Sequence, residues 1–311
     1  LILKMSLTLY IVRHGERMDH AEPSFLYNSP TPYDPPLTSR GKRQAKQTGS
    51  YIYTLQQESV SNDTKRNVEF IVITSPFART FETGIGIAEG ISTSEPNSKI
   101  KFRIDSSLAE WHTSAYYAQA VPDSIINKRF EELHEKSGKG DNSDYPFEAD
   151  FSYTPILNEL PKYPEGIHEV LKRCQNALAG ISSPFIQQIK QDKLSGDTEK
   201  LDTDMVLIIV THGWCFNVIQ EACSKSAGWK EAGFCAVSRA KWMPKEDFEG
   251  TENSGIPNIT VSNIDVNDTE DSEKSEIEKK NEEAINSLTA VNPDGKWIVD
   301  VSANTDHLKG I

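Results

Sequence analysis

Cysteine is scarce in this chain: Cys174, Cys215, Cys223 and Cys235 are the only four thiols among 311 residues. They form no CxxC pair and are too few for a disulfide scaffold. Zinc binding and a cross-linked fold are therefore set aside, and the thiols are read as reduced core residues. No apolar run approaches the roughly 18 residues of a membrane span, and Leu1–Lys4 is too short for a secretory signal. Positive charge is outnumbered, with 33 lysines and arginines against 46 acids and a net charge of -13. That balance argues against unaided binding to a nucleic-acid backbone or an anionic membrane. The expectation is a soluble protein of the cytosol or nucleus, with no cofactor and no metal.

What is present is a set of short β-branched runs separated by helical patterns. Leu7–Val12, Phe70–Ile73 and Val206–Val210 read as strands. Thr38 and Ser39 cap a helix to about Gln57, with Ala45, Tyr51, Ile52 and Leu55 on its inner face. A second helix runs from Ala78 to about Ala88, and another lies near Phe216–Cys223. A long one carries Ile167, Val170, Leu171, Cys174, Leu178 and Ile181 at helical spacing, its start marked by Pro164. Alternation of strand and helix predicts an α/β fold, three layers deep (αβα), around a mostly parallel central sheet. One domain is expected over residues 1–311, with polar insertions near 137–150 and 190–204 and a larger one near 246–292. Within the last, Asp265–Glu283 holds nine acids against three lysines and no aromatic residue, a composition that cannot bury enough surface to order itself. Lys296–Val301 resumes the apolar pattern as a closing edge strand.

Two of the strands end in the same pair of residues. Arg13-His14-Gly15 follows the first and His212-Gly213 follows Val206–Thr211. Strand ends at the carboxyl edge of a parallel sheet are where open α/β folds bind ligands. Around His14 stand Arg13 and Arg17, and Arg79 follows the second strand in Ser75-Pro76-Phe77-Ala78-Arg79. Phosphoryl transfer needs a nucleophile, positive charge on the non-bridging oxygens and a proton for the leaving oxygen. Guanidinium groups supply the second need through their planar fork. They also disfavour protonation of a nearby imidazole, which keeps His14 nucleophilic. Glu110, in Leu108-Ala109-Glu110-Trp111, is the proton donor that apolar neighbours would keep protonated. His212 adds a fourth cationic or hydrogen-bonding group. Each motif alone has an ordinary reading as a turn, a cap or a surface acid. Trp111, Trp214 and Trp297 are read as core or rim packing rather than substrate platforms.

Taken in order, these motifs resemble the histidine phosphatase superfamily, also called phosphoglycerate-mutase-like. The resemblance runs from Leu7 to about Cys223. Val12–Asp19 resembles in particular the branch containing the suppressor-of-T-cell-receptor-signalling phosphatases. Further shared marks are Pro36-Leu37-Thr38, Gly41, Gln44-Ala45, and Glu165 opening the long helix that contains Arg173. By that resemblance His14 is the nucleophile, Arg13, Arg17, Arg79 and His212 form the phosphate pocket, and Glu110 is the proton donor. The chain's end, Lys296–Val299 with Asn304-Thr305 and Leu308, resembles the phosphatase-like domain in the small subunit of fungal transcription factor TFIIIC and its free-standing relative. Trp214-Cys215 depart from the family pattern, which has small residues after His-Gly, and Trp214 is expected to narrow the pocket mouth.

The implied function is a metal-independent phosphomonoesterase that works through a phosphohistidine on a phosphoprotein or a small phosphoester. Mutase activity has no signature of its own here. The competing reading is a phosphatase-fold interaction module of a transcription-factor assembly, with a protein partner. It is motivated by the C-terminal resemblance and the acidic insertion.

Overall fold

Leu7–Val12 is buried at six consecutive positions, so both faces of that strand need a cover, as in a parallel sheet wrapped by helices. The structure, a computed structural model, describes residues 6–58, 67–137, 145–195, 203–247 and 294–311. Its elements begin with β1 (Leu7–Arg13), two single turns α1 (Met18–Ala21) and α2 (Phe25–Asn28), α3 (Ser39–Glu58), β2 (Asn67–Thr74) and α4 (Ala78–Ser94). There follow β3 (Lys99–Ile104), α5 (Ser124–Lys136), β4 (Glu148–Ala149), α6 (Ile167–Ser195), β5 (Thr203–Thr211) and α7 (Gly213–Cys223). β6 (Val237–Pro244) and β7 (Gly295–Asn304) complete a seven-stranded sheet in the order β4-β3-β2-β5-β1-β6-β7. Its first five strands run parallel; β6 and β7 are antiparallel to their neighbours.

Alternate residues of each central strand enter different layers. Leu7, Leu9, Ile11, Leu207 and Ile209 pack with Val170, Cys174 and Leu178 of α6 and Phe216 and Ile219 of α7. Tyr10, Val12, Val206, Ile208 and Val210 pack with Ile52 of α3 and Phe81, Ile87 and Ile91 of α4. The mostly parallel three-layer arrangement expected from the sequence is the one observed. α3 and α4 come so close that a Cβ on Gly49 would lie 2.1 Å from the Ile87 carbonyl oxygen, and one on Gly90 2.0 Å from that of Lys46. Glycine is what lets the two backbones touch.

Several sequence boundaries need correction. α4 continues six residues past Ala88, through the Gly90 contact, because the α3 surface goes on supporting it. The expected insertion at 190–204 is narrower: α6 extends to Ser195 and β5 begins at Thr203. The end of the 137–150 segment carries the edge strand β4, paired with Lys101 and Phe102. Most of the acidic 246–292 segment lies outside the described residues. Lys296–Val301 does form an edge strand, the middle of β7. All four cysteines are buried and free. β3, β6 and α5 were absent from the sequence reading.

Candidate active site

β5 lies between β1 and β2, pairing Arg13 with Thr211 and Thr74 with Val210. Three strand ends therefore meet at one carboxyl edge, and the residues just beyond them are His14, His212 and Ser75. The two imidazoles lie edge to face with their centroids 5.5 Å apart, both essentially buried. His14 Nδ1 is 2.9 Å from the Gly15 carbonyl oxygen. A carbonyl can only accept, so Nδ1 carries the proton and Nε2 keeps its lone pair. Gly15 is held by its N–H to Thr83 Oγ1 at 3.0 Å, and a Cβ there would come within 2.8 Å of the Gly41 carbonyl oxygen.

Burial, followed by the guanidinium groups of Arg79 and Arg13, holds the His14 ring well below the usual histidine pKa. The sequence pointed to the arginines; desolvation is the larger cause. His212 is held down in the same way, by burial first and then by Arg79. Of the two roles open to it, hydrogen bonding is thus the one available in the free site, and its Nε2 lies 3.0 Å from Ser75 Oγ. Its Nδ1 faces Glu110 Oε2 at 3.6 Å. Glu110 follows a short 3-10 turn, Ser106–Leu108, and burial raises its carboxyl above the ordinary value, with Arg79 opposing. Burial thus shifts this acid toward the protonated form that proton donation needs.

Arg13, Arg17 and Arg79 all border one cleft of about 400 Å³, together with Glu110, Gly213 and Trp214. Arg79 opens α4, is 2% exposed, and lies over the Phe77 ring at 4.5 Å. Its Nη2 donates to the Tyr117 hydroxyl at 3.3 Å, while its Nε has no partner. Arg17 Nε is 2.9 Å from Asp19 Oδ1. Arg13 donates to the Ala232 carbonyl and lies 4.7 Å from the Phe234 ring centre. The N-terminus of α7, starting at Gly213, adds its partial positive charge at the same edge. All six residues singled out in the sequence are thus brought together.

Other contributors were missed. Phe234 packs on His14, His20 and Arg13, and the Cys235 N–H donates to the His14 carbonyl at 3.1 Å. Asp34 accepts from the Ala78 N–H at 2.6 Å and from Arg129 at 3.2 Å, which ties the cleft wall to the start of α4. Tyr33, Tyr116 and Tyr117 line the cleft beside Trp214. Trp214 packs between Trp111, tilted at 4.5 Å, and Trp229, edge to face at 4.9 Å, at the rim as expected, whereas Trp297 is core, packed on Trp242. Among the described residues, no group of three or more His, Cys, Asp or Glu side chains is placed to hold a metal ion, and no helix is long and apolar enough to cross a membrane.

No curated protein sequence matches the chain. Solved structures similar to it include a mycobacterial glucosyl-3-phosphoglycerate phosphatase, at 13% identity over 96% of this chain and 99% of that one, with a TM-score of 0.41. Phosphoglycerate mutase from Bacillus anthracis is 19% identical over 77% of this chain and 89% of its own, with a TM-score of 0.37. A Klebsiella phytase is 13% identical over 77% and 79%, with a TM-score of 0.35. The sequence profile of the histidine phosphatase superfamily, branch 1, matches residues 9–225, well over half the chain, from within β1 through the carboxyl edge of the sheet to just past α7. The chain belongs to the histidine phosphatase superfamily.

Proposed function

We propose that this protein hydrolyses phosphomonoesters through a phosphohistidine at His14, without a metal. One observation carries the reading: an imidazole that burial and three guanidinium groups keep neutral, with Nδ1 tied to Gly15, lies beside the arginines that border the cleft together with a carboxyl whose pKa burial raises. His14 Nε2 attacks phosphorus, the bond to the leaving oxygen breaks, and Glu110 gives that oxygen its proton. Glu110, now a carboxylate, takes a proton from water; the water oxygen bonds to phosphorus, the P–N bond breaks and inorganic phosphate leaves. Arg13, Arg17 and Arg79 hold the non-bridging oxygens through both steps, with His212 as a further hydrogen-bonding group.

The substrate is a phosphoprotein or small phosphoester whose body is aromatic rather than highly charged. The cleft's cations suffice for one phosphoryl group, and its remaining wall includes Tyr33, Tyr116, Tyr117, Trp214 and Leu26. Analogy with the VRHGER-containing branch favours a phosphotyrosyl group. A second reading, a TFIIIC-like assembly module with a protein partner in the nucleus or cytosol, rests on the segment Lys296–Leu308. A stable complex indifferent to His14→Ala would support it. The test of the enzymatic reading is turnover of 4-nitrophenyl phosphate, wild type beside His14→Ala, with trapping of an acid-labile phosphoenzyme. Both signals should vanish in the variant and survive EDTA; a folded wild type with neither signal would refute the proposal.

A further inference from the structure

Glu110 lies in a stretch with no helix or strand to fix it, between the 3-10 turn at Ser106–Leu108 and α5. A general acid must nevertheless stay within hydrogen-bond reach of one oxygen. What holds the stretch is a buried pair. Arg173 of α6 and Glu165 make a two-pronged ion pair, Nε to Oε1 at 2.7 Å and Nη2 to Oε2 at 2.8 Å, and are 7% and 5% exposed. Apart from a longer contact of Nη2 with Cys215 Sγ at 4.0 Å, the rest of the Arg173 fork is spent on the backbone around the acid. Nη1 donates to the carbonyls of Ser107 and Ala109 at 2.8 and 2.9 Å, and Nη2 to that of Glu110 itself at 3.3 Å.

Glu165 grips the far side. Its carboxylate accepts from the His112 N–H at 3.3 Å, its N–H donates to the His112 carbonyl at 2.8 Å, and its carbonyl accepts the Trp111 indole N–H at 2.9 Å. Between the two grips, the Trp111 N–H donates to Glu110 Oε1 at 3.0 Å. That bond aligns the carboxyl and leaves Oε2 toward His212. A pair built only for stability would gain little, because the cost of burying two charges roughly cancels their attraction. This pair instead spends its donors and acceptors on residues 107–112.

We infer that Arg173, braced by Glu165, is a positioning residue that fixes the proton-donating carboxyl of Glu110. The inference rests on Glu110 being the acid. Lysine at 173 keeps the charge but cannot span the Glu165 carboxylate and three carbonyls from one fixed plane.

The test compares kcat/KM for phenyl phosphate, a poor leaving group, with that for 4-nitrophenyl phosphate, a good one. It is run on the full chain as wild type, Glu110→Gln, Arg173→Lys and Glu165→Gln, with folding checked by circular dichroism. Proton donation is worth about 10²–10⁴-fold where the leaving group needs it. Arg173→Lys should therefore lose at least about tenfold more on phenyl than on 4-nitrophenyl phosphate. Its alkaline limb should also move to lower pH as the loosened carboxyl gains water. Glu165→Gln, which keeps the side chain's shape, should show the same split if Arg173→Lys does not fold. Equal losses on both substrates in a folded variant, with Glu110→Gln still showing the split, would overturn the positioning role alone. No split in Glu110→Gln would overturn the acid assignment and this inference with it.

Discussion

Arg79→Lys tests whether the cleft holds a phosphoryl group through this guanidinium, because it changes shape while conserving charge. Arg79 is 2% exposed, one terminal nitrogen meets Tyr117, and the Phe77 ring supports its flat face. Its Nε is buried without a partner, so the guanidinium edge retains donors for a guest. A guanidinium fork offers two parallel N–H donors to two phosphate oxygens, whereas an ammonium acts as a point charge. Losing one charge-assisted bond to a transferring phosphoryl costs about 2–3 kcal/mol. That is roughly 30- to 150-fold in kcat/KM. The assay is steady-state hydrolysis of 4-nitrophenyl phosphate, with inhibition constants for vanadate and inorganic phosphate. All three should weaken together, with the acid limb of the pH profile in place because the charge beside His14 persists. Arg79→Met should move that limb upward, since removing the cation lets the His14 pKa rise. Phosphate inhibition and kcat/KM both within about threefold of wild type in Arg79→Lys would refute the placement of this fork on the phosphoryl group.

Two further outcomes concern stability. Gly90→Ala should cost about 3 kcal/mol in a urea titration, because the new methyl meets the Lys46 carbonyl and the Ser50 amide nitrogen, backbone atoms that cannot swing aside; a loss under about 1 kcal/mol would mean the helices slide apart freely. Glu221 on α7 is buried with Oε2 unpartnered, and burial lifts its pKa to about 7. A raised carboxyl favours the folded state at low pH and loses that advantage as pH climbs from its unfolded value through about 7. Glu221→Gln should therefore raise the melting temperature at pH 8 and leave it near wild type at pH 4; an unchanged difference across that range would contradict the shift.

The His-Gly pairs were legible because each ends a run buried on both faces, and such a run has few places to sit except inside a parallel sheet. That β5 enters between β1 and β2 was not legible, since neither strand carries a sign of its neighbour. β3 was missed although Ile100, Phe102 and Ile104 alternate with Lys99, Lys101 and Arg103 in a period of two; the charged positions masked a half-buried strand. Arg173 was visible only as a family mark. An arginine on an amphipathic helix ordinarily reads as its wet face, and only the fold brings the carbonyls of Ser107, Ala109 and Glu110 to it. Phe234 and Cys235 carried no periodic signal. They belong to the turn before β6, and their nearness to His14 follows from the antiparallel pairing of β6 with β1.

The placement of β5 also sets an order of events for a chain made from its N-terminus. Until Thr203–Thr211 has been synthesised, β1 and β2 have no strand to join them, and two apolar flanks that end up central wait unpaired. The late strand that closes this gap also carries Thr211 to the residue next to His14 and brings His212 with it. Closure of the gap between β1 and β2 and appearance of the imidazole pair are one event, so a nascent fragment ending before β5 has Arg13-His14-Gly15 without the second imidazole.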